Sequence, residues 1–197
     1  MNVDAYALFS ELGAGFTKGE PKHEAEVRDL LTDFLRETLE LGRGEVCIEQ
    51  RIGGKLVDVW VEPIRLAVEI KYHRPIPSGR NRPMTQQFGA LLADIRKLAL
   101  LPNAATRVLF LLSDGAGLTH ITNKDLLPIS DTGHRVITAA DIAGLAASAR
   151  GPAEAEGEWR RVRVVRVWHR KLHFGLTGVA WLVEPAEAVD SERSLAR

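Results

Sequence analysis

The sequence predicts an α/β protein, a mixed β-sheet flanked by helices, with a C-terminal β-hairpin appendage. Apolar residues recur at helical spacing in residues 21–40 and 84–101, on either side of a stretch that alternates with a period of two. Residues 106–113 form a nearly continuous apolar run, the signature of a strand covered on both faces. After Gly151-Pro152 the composition turns acidic and then strongly basic, which places a boundary between residues 1–150 and an extension, 151–197.

Each element has a local reason. Residues 3–12 read as a short amphipathic helix ended by Gly13-Ala14-Gly15. Pro21 suits the first turn of a longer helix whose stripe is Val27, Leu30, Leu31, Phe34 and Leu35, and Gly42 and Gly44 stop it. A strand at 46–52, a tight Gly53-Gly54 turn and strands within 55–61 and 66–72 make a meander. The helix at 84–101 buries Phe88, Leu91, Leu92, Ile95 and Leu98 and ends at Pro102-Asn103. The strand at 106–113 exits through Asp114-Gly115, and residues 136–137 form a brief strand. Thr138-Ala139-Ala140-Asp141 is a capping box that opens a further helix.

Composition narrows the function. The chain has 197 residues, 45% of them hydrophobic, enough for a sizeable core, and a formal net charge of zero, so affinity for phosphate must come from local patches. A single cysteine, Cys47, precludes an internal disulfide framework and fits a reducing compartment. With no secretory signal at the start and no apolar run long enough for a bilayer, the expectation is a cytoplasmic protein without a membrane partner. Ser113-Asp114-Gly115 lacks a nucleophile elbow and Cys47 lacks an identifiable histidine partner, which argues against covalent catalysis.

The alternating stretch carries the chemistry. An even turn at Pro63, of two residues or four, sets residue 61 against 66 and 59 against 68, and so puts Asp58 opposite Glu69. Like charges about 5 Å apart across a ladder destabilise a sheet, so a cation is expected between them. Lys71, on the same face, supplies one charge. If Ile52 pairs with Lys55, Glu49 falls opposite Asp58 on its other side. It is an outer group or third ligand there, or, as favoured, a structural partner of nearby Arg51 and Lys55.

Asp58 followed on the next strand by Glu69-Ile70-Lys71 resembles the PD-(D/E)XK nuclease superfamily, the restriction-endonuclease-like fold, over roughly residues 20–148. Val57 stands where that family's proline would be. The resemblance implies a Mg2+- or Mn2+-dependent phosphodiesterase acting on nucleic acid, most readily a DNA endonuclease in defence, restriction or repair. Asp58, Glu69 and the Ile70 carbonyl would hold the metal, and Lys71 would place or polarise the attacking water. Oxygen donors of this kind suit a hard, octahedral cation. The family's further acid comes from the preceding helix, where Glu24 lies about 50° from the apolar stripe and Glu26 about 110°; Glu24 is favoured, with a role at the helix dipole as the alternative. A glutamine on the following helix, Gln87 or else Gln86, would border the site. The alternatives are a catalytically silent module that binds nucleic acid or a protein, and one subunit of a larger nuclease.

Two basic segments offer phosphate contacts. The loop 72–84 holds Arg74, Arg80 and Arg82, three prolines and no acid. Residues 159–173 combine six Arg or Lys, among them Arg160, Arg163 and Arg166, with two tryptophans, and pair with a strand at 176–183. Interleaved bases and aromatics suit nucleic acid; a homodimer contact centred on Trp168 and Trp181 is the other reading.

Overall fold

The fold is described from a computed structural model, for residues 4–12, 20–73, 84–125, 127–129, 133–147 and 161–185. In chain order these form α1 (Ala5–Ser10), α2 (Glu24–Thr38), β1 (Val46–Ile52), β2 (Lys55–Val61), β3 (Leu66–His73), α3 (Met84–Ala99), β4 (Thr106–Asp114), α4 (Gly115–Thr122), β5 (His134–Ile137), α5 (Ala139–Ala147), β6 (Val162–Lys171) and β7 (Leu176–Pro185). The strands make one mixed sheet in the order β1-β2-β3-β4-β7-β6-β5. Only β3 and β4 run parallel; the other neighbours are antiparallel.

The α/β expectation therefore holds, and β4 shows why its sequence is apolar throughout. Val108, Phe110 and Leu112 face α1 and α2, where they meet Phe9, Leu31 and Leu35. Leu109 and Leu111 face α3 and α4, among Leu91, Ile95 and Ile121. The meander also forms as its turns require. Gly53 and Gly54 take φ of 55° and 80°, and a Cβ on Gly53 would stand 2.2 Å from the Pro102 ring.

Three expectations need correction. The hairpin read as an appendage is part of the central sheet: β7 pairs with β4 from Val108↔Leu182 to Asp114↔Leu176. A central strand must satisfy donors and acceptors on both edges, and β3 covers only one edge of β4. The boundary at 151 thus falls between strands of one sheet. Trp168 and Trp181 are core residues: Trp168 stacks on Phe110 at 5.7 Å, and the fully buried Trp181 donates from Nε1 to the Pro128 carbonyl at 2.7 Å. Gly178 admits the Trp168 ring, since a Cβ there would lie 2.3 Å from it. Finally, Asp114-Gly115 opens a helix where an exit turn was expected, because Asp114 Oδ1 accepts the Gly117 amide at 2.8 Å and caps α4.

Smaller shifts occur at helix ends. α2 begins at Glu24, with His23 Nδ1 accepting the Glu26 amide at 3.3 Å, so Pro21 precedes the helix. The Thr138/Asp141 capping box forms, with Thr138 N donating to Asp141 Oδ2 at 2.7 Å and Asp141 N to Thr138 Oγ1 at 3.3 Å. Among the described residues no helix is long and apolar enough to cross a membrane.

Candidate metal centre

The β2–β3 turn spans four residues, 62–65, closed by the Arg65 amide on the Glu62 carbonyl at 3.2 Å. It sets Val61 against Leu66 and Val59 against Val68, and the same register puts Asp58 in line with Glu69. The ladder stops there. The Ile70 amide, in a fully buried residue, donates to Asp58 Oδ2 at 2.8 Å. A buried N–H must find an acceptor, and here a carboxylate replaces the strand.

Where the strands part, side chains arrive from both faces of the sheet. From α3, Asp94 Oδ2 lies 2.8 Å from Lys71 Nζ, and Lys97 Nζ contacts both Glu69 Oε2 and, at 3.4 Å, Asp94 Oδ1. From the first turn of α2, Glu24 Oε2 accepts the Tyr72 amide at 3.3 Å. Lys71 Nζ also reaches the Ile70 carbonyl at 3.2 Å. Glu69 is 1% exposed, and its buried Oε1 has no hydrogen-bond partner among the described residues.

The charges do not balance. Among the described residues four carboxyls, Glu24, Asp58, Glu69 and Asp94, share two ammonium groups, Lys71 and Lys97. Burial first, then the Asp58 charge, pushes the Glu69 carboxyl up to about 8, against the pull of Lys97. Burial also raises Glu24, with Lys71 opposing and Asp58 and Asp94 adding to the rise. For Lys71, burial would lower the value, but Asp94, Glu24 and Asp58 together raise it. His73, at the end of β3 and 7% exposed, is driven down to about 4 by burial and by Lys71. No family model, curated protein or solved structure matches the chain.

The expected residues Asp58, Glu69, Ile70, Lys71 and Glu24 thus come together. Glu26 does not join them; it lies with His23 Nε2, 3.2 Å away, and the Lys22 amide. Glu49 turns to Arg28 of α2, at 2.6 Å, leaving Arg51 and Lys55 aside. Gln87 lies half-buried on α3, seven residues before Asp94, while Gln86 is exposed. Arg74, Arg80, Arg82 and Arg160 lie outside the described residues. Arg163 pairs with Glu184 at 3.1 Å, and the Arg166 guanidinium donates to the Ile129 carbonyl, so both are engaged within the fold.

Sequence reasoning did not single out Asp94, Lys97 or His73. The spacing of Gln87, Asp94 and Lys97, seven and then three residues, marks one stripe of α3 and carried the signal.

Proposed function

We propose that the chain is a divalent-metal-dependent nuclease that hydrolyses phosphodiester bonds, a DNA endonuclease of defence, restriction or repair in the manner of the PD-(D/E)XK proteins it resembles. The observation that carries this reading is the surplus, among the described residues, of two carboxyls over ammonium groups where β2 leaves β3, together with the buried Glu69 Oε1 that lacks a hydrogen-bond partner among them. An ion of charge two would displace the proton that burial keeps on Glu69 and offset the surplus, and Asp58, Glu69 and the Ile70 carbonyl are the hard oxygen donors that would hold Mg2+ or Mn2+. Such an ion supplies a Lewis acid, which makes water a better nucleophile and offsets charge on phosphoryl oxygens.

The chain's own residues do the rest. Asp94 fixes the Lys71 ammonium at 2.8 Å and helps keep it charged, so it can orient a water and attract a scissile phosphate. Lys97 pulls against the rise in the Glu69 carboxyl and ties it to α3. Glu24 holds the Tyr72 amide and so the path of β3 beyond Lys71.

One observation favours a second reading. Among the described residues no three carboxylate, histidine or cysteine side chains converge as a metal cage, and Lys97 already occupies one Glu69 oxygen. A catalytically silent module that binds nucleic acid or a protein would look the same. The deciding experiment incubates the chain with supercoiled plasmid, linear duplex, single-stranded DNA and RNA, each with Mg2+, with Mn2+ and with chelator. Metal-dependent cutting that Asp58→Ala and Glu69→Ala abolish is expected. Nucleic-acid binding without cutting and without calorimetric Mg2+ binding would select the silent module.

A further inference from the structure

Two of the three oxygen donors named for the ion already hold an ammonium group. Lys71 Nζ lies 3.2 Å from the Ile70 carbonyl, and Lys97 Nζ pairs with Glu69 Oε2. Asp94 links the two lysines, with Oδ2 at 2.8 Å from Lys71 Nζ and Oδ1 at 3.4 Å from Lys97 Nζ. Glu69, Lys97, Asp94 and Lys71 therefore form a chain of contacts that starts on one proposed donor and ends on another.

The two lysines are held differently. Lys71 stands on β3 itself, next in the chain to its carbonyl acceptor, and its side chain is 19% exposed. Lys97 reaches Glu69 from a separate element, α3, and its side chain is 27% exposed. A lysine carries a compact charge on a flexible four-carbon stem, so it can let go of one acceptor without moving the backbone. Lys97 also belongs to the last turn of α3, where the helix dipole favours a positive charge, and its ammonium keeps a favourable place after leaving Glu69. Glu69 has no such freedom: it is 1% exposed, and a carboxyl buried that deeply is destabilising once its partner is removed.

We propose that Lys97 is an internal stand-in for the ion and sets which cations the site accepts: its ammonium holds Glu69 Oε2 while no ion is bound, and it leaves Glu69 when a divalent cation arrives. A monovalent cation offers Glu69 no more charge than Lys97 does, and it lacks the tether that keeps the ammonium at high effective concentration. An ion of charge two attracts Glu69 twice as strongly and repels the ammonium beside it. This inference rests on the metal-dependent reading and deepens it by naming the residue that selects for ion charge.

The test follows the full chain without substrate, in chelator, in KCl and in saturating Mg2+. Trace acetylation read by peptide mass spectrometry should find Lys97 slow to react in chelator and in KCl and several-fold faster in Mg2+, with Lys71, held by Asp94, as the internal reference. Lys97→Met should melt about 5 °C below the parent in chelator, yet within about 1 °C of it in saturating Mg2+, because the ion then holds Glu69 in both chains. A lysine with a purely structural role would leave the same deficit in both conditions. Lys97→Arg keeps the charge but grips carboxylates with a two-pronged planar fork, so calorimetry should find Mg2+ bound roughly tenfold more weakly. A Lys97 that stays slow to acetylate while calorimetry shows Mg2+ bound, a Lys97→Met deficit that Mg2+ leaves unchanged, or parental Mg2+ affinity in Lys97→Arg would overturn the inference alone. If neither Mg2+ nor Mn2+ binds the parent or Lys97→Met, the metal-dependent reading falls and the inference with it.

Discussion

Buried between Asp58 and Lys97, the Glu69 carboxyl holds its proton up to about pH 8, while the unfolded chain releases it near the ordinary value of 4.5. A raised folded value means stability that is complete below the unfolded value and is lost as pH rises through the folded one. His73 works in the opposite sense: lowered to about 4, it contributes stability above pH 6.5 that is lost as pH falls toward 4. The two oppose each other from 4.5 to 6.5, and Glu69 acts alone above that. In metal-free protein, Glu69→Gln should therefore gain on the parent by on the order of 1.4 kcal/mol per pH unit between 4.5 and 8. Urea unfolding at several pH values reads this, and a pH-independent difference would refute it. Lys71 has its own test. In the proposed mechanism its ammonium would act on water and phosphate without being a ligand, so Lys71→Ala should cut turnover by roughly a hundredfold or more with little change in Mg2+ affinity. Lys71→Arg should not restore full turnover, since a planar guanidinium is bulkier than the ammonium that Asp94 holds. Single-turnover kinetics and calorimetry separate the two effects.

The β2–β3 hairpin turns local sequence into site geometry. Its four-residue connection is even, so register and facing are preserved; an odd one moves every side chain to the other face or forces a bulge. Deleting Pro63 should cost on the order of 3 kcal/mol and lose the Asp58 contact with the Ile70 amide. Replacing residues 62–65 by Asn-Gly should keep both that amide contact and metal binding, at the smaller cost of losing the buried Ile64. Amide chemical shifts and chemical denaturation distinguish the two. Legibility in the sequence follows the same divide between local and distant causes. The meander, α3 and the doubly covered β4 were readable because period and turn chemistry are local. So was the approach of Asp58 to Glu69. The Lys97 contact with Glu69 was not, because on sequence alone Asp94 and Lys97 form an ordinary three-apart helix pair. α4 was hidden by Gly115 and Gly117 at its start. β6 misled through its composition: its arginines suggested a surface, while Val162, Val164 and Val165 were already marking a buried strand.

In the molecule as a whole, β3 and β7 meet through β4. Ending the chain at residue 150 should leave the β4 edge from residue 108 to 114 unpaired and take Trp168 off Phe110 and Trp181 out of the α3 face. The truncated chain should be insoluble or molten, with no cooperative thermal transition. A sharp transition near that of the full chain would show that the first 150 residues fold alone.

The pairing of β4 with β7 also bears on how the protein is made. About sixty residues separate the end of β4 from the start of β7. At ~5–20 residues per second, a ribosome needs roughly 3–12 s to supply the missing neighbour. Through that interval the nascent chain has its most hydrophobic strand open along one side, beside a finished hairpin that already bears Asp58 and Glu69. Such an edge invites a wrong strand, from the same chain or from another on the same polysome. Chaperone demand during synthesis should therefore peak between β4 and β7, and slowing translation across that window should cost more soluble protein than slowing it anywhere before β4.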